Sequence, residues 1–307
     1  MSDVAKPDGP SDSLIIFAPE GIGEVDPDTP LAEVILRAIA AHPQGPLRSG
    51  DILVVTSKII SKHEGRVVAA EDRQDAITAE AVRTLAQRGE TRIVETRHGL
   101  TMAAAGVDNS NVHPGQVLLL PKDPDASAAT LRTEIENLSG AEVGILISDT
   151  AGRAWRVGQT DLAIGAAGVQ LIDAYSGRVD DYGNDLHVTA IAVADELTGA
   201  ADLVKSKLAG RPVAVIRGAE GLVTPESAAE PATRLIRASA EDMFRHGSRE
   251  AVVLALLTAL GRPERYDELI ALPVDAQVEA LLSDPALTEA EPTVRTLVEG
   301  ILRAAVA

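Results

Sequence analysis

Two short apolar runs, Ile52 to Val55 and Val143 to Ile147, are closed abruptly by polar residues, Thr56-Ser57-Lys58 after the first and Ser148-Asp149-Thr150 after the second. Unbroken apolar runs of this length predict strands buried on both faces. Ser13 to Ala18 and Pro212 to Ile216 read the same way, with further strands over Arg92 to Glu95 and Val169 to Ala174. Between them the apolar period becomes helical. Thr29-Pro30 offers a capping hydroxyl and a first-turn proline, and Leu31, Val34, Ile35 and Ile39 fall on one face behind it. Helices are also predicted over Gln74 to Arg88, Leu131 to Leu138 and Val188 to Lys205, with a turn-rich link over Tyr175 to Asp185. Strands alternating with helices predict an α/β (mixed α+β) core. From Ser248 the texture changes: AVVLALLTAL, DELIAL, AQVEALL and TVRTLVEGILRAAV are helical runs separated by Gly261, Pro263, Pro273, Pro285 and Pro292. The expected organisation is a core domain over residues 13–247 and an all-helical C-terminal extension over 248–307, behind a polar leader over 1–12 expected to be disordered.

Aromatic residues make up only 2% of the chain against 45% hydrophobic, so the core must be packed from Val, Leu, Ile and Ala. Forty-six acidic against 28 basic residues give a formal net charge of -18, which repels a phosphate backbone and argues against nucleic acid as a partner. A small anion is still admissible where basic side chains or cations cancel charge locally. The absence of cysteine excludes disulfides, thiolate metal sites, iron-sulfur clusters and a cysteine nucleophile. No apolar run approaches the roughly 20 residues a membrane helix needs, and the N-terminus shows no export signal. A cytoplasmic protein without membrane contact is expected.

The densest candidate chemistry lies in GILISDTAGRAWRVGQTDLAIGAAG, Gly144 to Gly168. A buried strand is expected to stop at Ile147 and deliver a loop, with Asp149 as metal ligand or base and with Arg153 and Arg156 flanking Trp155, the one tryptophan. Loops leaving such strands are where α/β proteins place their chemistry. Glu20-Gly21-Ile22-Gly23 follows the first strand, and amides in such a turn can bind phosphate. A dinucleotide fingerprint fails there because Asp26 stands in place of the third glycine, so taken alone the stretch reads as a plain turn. Lys58 and Lys62, interleaved with serines, could line a phosphate site or a solvated face. Asp108, Asn109, Ser110 and Asn111 could cap a turn, or Asp108 could join Asp149 in holding a hard divalent cation. There is no P-loop, zincin, nucleophile-elbow or kinase signature, and the six histidines show no ligand spacing. Carboxylates and lysines spread over several loops suit phosphoryl transfer, in which cations neutralise the transferring group while lysines and amides hold the other phosphates.

Taken in order, EGIG, GDILVVTSKIISKHEGR, HGLTMAAAGVDNSN, ISDTAGRAWRVGQTDLAIGAAG and VADELTGAADLVKSK resemble the coenzyme F420-0:L-glutamate ligase family over about residues 13–245. The resemblance implies a homodimeric, mixed α/β ligase that uses GTP with Mg2+ or Mn2+, two ions, to join L-glutamate to F420-0 and then to add γ-linked glutamates. It implies nucleotide contacts at Glu20, Gly21, Ile22, Gly23, Ser57, Lys58, Lys62 and Asn111 and over Val204 to Arg211, and cation contacts at Asp108, Asp149 and Thr150. Lys207 falls at or beside a position where the family holds its second cation. An ammonium cannot ligate one, so either the register is off by a residue or water or another carboxylate such as Glu196 substitutes. Alongside Asp149, Arg153 and Arg156 could hold the anionic substrate or steady an acyl phosphate; packing beside Trp155 is the alternative. Some relatives fuse the ligase to a flavin-binding domain, for which residues 248–307 are too short, so no flavin is expected. The rival readings are a nucleotide-binding regulatory protein of the same fold and an amide ligase for another carboxylate.

Overall fold

The computed structural model describes residues 13–186 and 189–306; the leader over 1–12, His187 and the expected helix start at Val188 lie outside them. In chain order the first half contains β1 (Ile15–Phe17), α1 (Leu31–Ala41), β2 (Ile52–Thr56), α2 (Ser57–His63), β3 (Val67–Ala69), α3 (Arg73–Glu80), β4 (Ala81–Arg88), β5 (Thr91–Thr96), β6 (Thr101–Ala103), β7 (Gln116–Leu118) and α4 (Pro124–Ser139). There follow β8 (Gly144–Gly152), β9 (Gln159–Ala167), β10 (Asp173–Ala174), β11 (Arg178–Val179), β12 (Asp185–Leu186), β13 (Ala190–Ile191), α5 (Val193–Lys205) and β14 (Val213–Arg217). The rest is helical: α6 (Ser248–Ala259), α7 (Tyr266–Ile270), α8 (Val274–Leu282), α9 (Pro285–Thr288) and α10 (Pro292–Val306).

The two apolar runs form the heart of the main sheet, with Ile52 to Val55 and Ile145 to Ile147 sealed from solvent. They pair in parallel, Ile52 opposite Gly144 through Thr56 opposite Ser148. The sheet order is β1-β14-β2-β8-β9, and the remaining pairings are antiparallel. Strand alternation sorts the side chains. Ile52, Val54, Leu146, Ala214 and Ile216 share one core with Ala194, Leu197 and Ala201 of α5. The other face meets α4, which packs on β8 and β9 and against α1. Gly165, opposite Ile147, is needed on that face because an added Cβ would stand 2.4 Å from the Pro124 carbonyl oxygen. The mixed α/β class expected from the sequence is the one observed.

Packing divides the chain elsewhere than at the expected boundary between 247 and 248. One unit runs up to Glu71 and resumes over Val107–Ile236; the other joins Asp72–Gly106 to the residues from Arg237 onward. In the second unit β4, β5 and β6 form an antiparallel sheet against which α6 lies. The tie is polar and specific: Arg83 of β4 donates to both carboxylate oxygens of Glu250 at 3.1 and 2.9 Å, and Arg249 donates to the Thr84 carbonyl at 2.9 Å. The later helices close their own aliphatic core around Val253, Leu257, Leu269, Leu281 and Leu302.

Several expected elements differ in extent. The helix expected over Gln74 to Arg88 stops at Glu80, and Ala81–Arg88 is a strand. Helix-forming residues there yield to pairing with β5 across a turn in which Gly89 takes φ 58°. The helix expected from Leu131 begins at Pro124, capped by Asp123, whose carboxylate accepts the Ala126 amide. Thr29 does not cap α1; its hydroxyl donates to Asp26 at 2.7 Å. Only Asp173–Ala174 of the strand expected over Val169 to Ala174 is a strand, Val169 making a lone bridge to Val223. Helix α5 starts at Val193, because Ala190–Ile191 pairs with β10 instead.

Candidate active site

Parallel pairing of β2 with β8 brings Thr56-Ser57 and Ser148-Asp149 to one sheet edge, the position where open α/β sheets bind ligands. The loop expected after Ile147 is not a loop. Strand β8 continues through Asp149 and Thr150 to Gly152, because β9 supplies ladder partners all the way, with Asp149 opposite Leu162 and Thr150 opposite Asp161. Alternation therefore sends Ser148 and Thr150 to one face and Asp149 to the other. On its face, Asp149 accepts the Ser57 hydroxyl through Oδ1 at 2.7 Å. On theirs, Ser148 and Thr150 both donate to Asp161, each at 2.8 Å.

Asp108 is held by a two-way backbone bridge to Leu118. Its carboxylate meets Lys58 Nζ at 2.6 Å and accepts the Ser110 amide and hydroxyl at 2.7 and 2.9 Å. Lys62, nearly buried, pairs with Glu24 just past the glycine turn. Gly21 and Gly23 take φ 89° and 74°, and a Cβ at either would meet nothing within 4 Å, so the turn requires glycine for conformation and leaves its backbone approachable.

Some of these groups, among them Glu24, Lys58, Lys62, Thr150 and Asp161, border a cavity of about 660 Å³. Its wall includes Gly23, Glu24, Lys58, Lys62, Asn111, Thr150, Asp161, Lys205, Lys207 and Arg211, so five cationic side chains face one space in a strongly acidic protein. Asn111 reaches it from a left-handed conformation, φ 58°. Ser57, Asp108 and Asp149 do not line it; Asp108 is bonded to Lys58, which does, and Asp149 to Ser57, next to Lys58 in sequence. Glu20, Gly21 and Ile22 do not line it, Ile22 being packed in the core. Arg153 and Arg156 are exposed on the β8–β9 turn beside Trp155, which is 84% exposed at φ 57°, and neither arginine lines the cavity. Glu196 is exposed in the first turn of α5, away from the wall, while Lys207 is on it.

Sequence reasoning passed over Asp161, and took in Lys205 only as part of the stretch Val204 to Arg211. Lys205, 5% exposed, donates through Nζ to Asp161 Oδ2 and Ser148 Oγ, each at 2.7 Å. The available signal was a lone aspartate in the otherwise small and apolar run DLAIGAAG, where an unpaired charge could not be buried.

The three carboxylates behave differently. Burial pushes Asp149 up to about 6, helped by the charges of Asp161 and Asp108 and opposed by Ser57 and Lys58. Burial acts the same way on Asp161, but Lys205, Ser148 and Thr150 overcome it and hold that carboxyl below the usual range. At Asp108 burial is outweighed by Lys58 and Ser110, again lowering it. Oxygen donors of this kind suit a hard divalent cation. Among the described residues no three acidic or imidazole groups converge as a ready metal cluster.

The fold and site thus define an α/β protein with a cation-walled cavity at the strand ends. The chain belongs to the family described as F420-0:Gamma-glutamyl ligase, whose model matches residues 21–218. It is 37% identical over 226 residues to the coenzyme F420:L-glutamate ligase of Methanocaldococcus jannaschii, covering 66% of this chain and 88% of the relative. It is 34% identical over 245 residues to the protein of that name from Methanopyrus kandleri, covering 72% and 94%. With the one from Methanothermobacter thermautotrophicus it shares 34% identity over 253 residues, covering 76% and 99%. Among the described residues no helix is long and apolar enough to cross a membrane.

Proposed function

We propose that the chain is a GTP-dependent ligase of coenzyme F420 biosynthesis that joins L-glutamate to F420-0 through an acyl phosphate and extends it with γ-linked glutamates. The observation that carries this reading is the cavity itself: Lys58, Lys62, Lys205, Lys207 and Arg211 on its wall, with Thr150 and Asp161 beside them, Asp108 bonded to Lys58 and Asp149 to Ser57. Its volume suits a nucleotide. Family membership and the names of the relatives support the substrates.

In this reading Lys58 and Lys62 exchange their carboxylate partners Asp108 and Glu24 for nucleotide phosphates. The backbone at Gly23, on the cavity wall, approaches the nucleotide without side-chain obstruction. Asp149 keeps Oδ2 without a donor among the described residues, and Asp108 becomes available once Lys58 turns to phosphate. These carboxylates would hold one divalent cation and Thr150, on the other face of β8, a second. Such ions neutralise charge at the transferring phosphoryl group. The acceptor carboxylate attacks the γ-phosphorus of GTP and GDP departs. The glutamate amine then attacks the acyl carbon, phosphate leaves with the carboxyl oxygen it captured, and the amine gives up a proton. Arg153 and Arg156 would meet the anionic acceptor at the outer turn.

The test is GDP release by the purified protein. The reading requires release to depend on F420-0, L-glutamate and a divalent cation together. GTP binding with F420-0 left unextended would contradict it.

A further inference from the structure

The hydroxyl of Thr150, on the cavity wall, ends a largely buried relay to which no role in the reaction has been assigned. Lys205 ends α5, where a cation is favoured by the helix carbonyls. It donates to Ser148 and to Asp161 Oδ2; Ser148, fully buried, donates to the same oxygen; Thr150 donates to Oδ1. A carboxylate only accepts, so the hydroxyl proton of Thr150 must point at Asp161. Its lone pairs are then directed elsewhere, and Thr150 is a wall residue of the cavity. Asp161 has three donors on its two oxygens, which leaves one of its roughly four acceptor sites open. Without Lys205 its buried charge would have no cationic partner among the described residues, and it would be free to turn.

We propose that Lys205 is a positioning residue: acting through Ser148 and Asp161, it holds the Thr150 proton away from the cavity so that the hydroxyl presents its lone pairs to a nucleotide-associated divalent cation. This rests on the reading of the cavity as a nucleotide and cation site. The relay explains why a lysine and an aspartate are buried together at the sheet edge, and why the hydroxyls at Ser148 and Thr150 share one strand face with Asp161 between them.

The test is Mn2+ binding to the GDP-bound protein, read from the electron paramagnetic resonance of free Mn2+, with thermal melting as a check on folding. Partners that orient metal ligands are worth about 10- to 100-fold in affinity. Lys205→Met is expected to weaken Mn2+ binding about 10-fold, Thr150→Val by a similar factor, and the double variant no further, because both changes remove one interaction. Thr150→Ser should bind as the parent does. If Lys205→Met fails to fold, Ser148→Ala keeps both charges; it should weaken binding about 5-fold and likewise add nothing to Thr150→Val. Unchanged Mn2+ affinity in Lys205→Met or Ser148→Ala beside a loss in Thr150→Val, or losses that multiply in the double variant, would overturn the relay alone. Unchanged affinity in Thr150→Val would overturn the reading of the site beneath it.

Discussion

Replacing Glu250 by alanine tests why the C-terminal helices share a unit with residues 72–106. The Glu250 side chain has no exposed surface and accepts two bonds from Arg83 Nη1. It also accepts the Gly247 amide at 3.0 Å, at the open end of α6. Removing one member of a buried ion pair typically destabilises by roughly 3–5 kcal/mol. Arg83 retains Glu95 at 2.6 Å and the Arg245 carbonyl at 2.9 Å, and its side chain is 22% exposed, so the lower end applies. Loss of the helix-end acceptor adds about 1 kcal/mol. A total of about 4 kcal/mol corresponds to roughly three powers of ten in the rate at which α6 amides exchange by local opening. Hydrogen exchange by mass spectrometry over Ser248–Ala259 reads this directly. Glu250→Gln, which can still accept from Gly247, should lose about half as much. Acceleration of less than about tenfold in Glu250→Ala, some 1.4 kcal/mol, would refute the claim that this pair is desolvated and holds α6 on the sheet.

Lys58→Met removes the cation that shields Asp108. Binding of Mn2+ to the nucleotide-free protein should tighten about 5-fold, the worth of a partly exposed ion pair, while GTP affinity should fall about 10- to 100-fold with the lost charged bond; calorimetry checks both. Gly165→Ala drives a Cβ to 2.4 Å from the Pro124 carbonyl oxygen, backbone that cannot yield, and should lower stability by about 1–3 kcal/mol in urea unfolding. Asp284 caps α9 through the Ala286 amide, and that bond together with Arg265 holds its carboxyl below the usual range. Its contribution is therefore present at neutral pH and lost as pH falls below the ordinary aspartate range toward the folded value. Asp284→Asn should flatten that part of the acid unfolding curve, as followed by circular dichroism.

The central sheet was legible because Ile52 to Val55 and Val143 to Ile147 have no polar residue to place on a solvent face. Candidate site residues stood out where polar residues interrupt such runs: Lys58 and Thr150, which line the cavity, and Ser57 and Asp149, which do not. What escaped depends on partners far along the chain. Ala81–Arg88 has helical composition and becomes a strand only by pairing with β5. Thr150 stays in a strand because Asp161 stands opposite. Lys205 looks like any basic helix end until the fold carries it to Ser148, 57 residues away in sequence. The unit boundary was hidden for the same reason: Arg83 and Glu250 are 167 residues apart.

The most direct test of the central claim is mass spectrometry of F420-0 incubated with the protein, L-glutamate, GTP and Mg2+, beside the same reaction with Asp149→Asn. The account predicts a glutamyl-extended product and GDP with the parent protein. With the variant, which removes a half-buried charge without removing the Ser57 acceptor and should stay folded, it predicts neither. An unextended F420-0 with the parent protein, or full extension by Asp149→Asn, would contradict it.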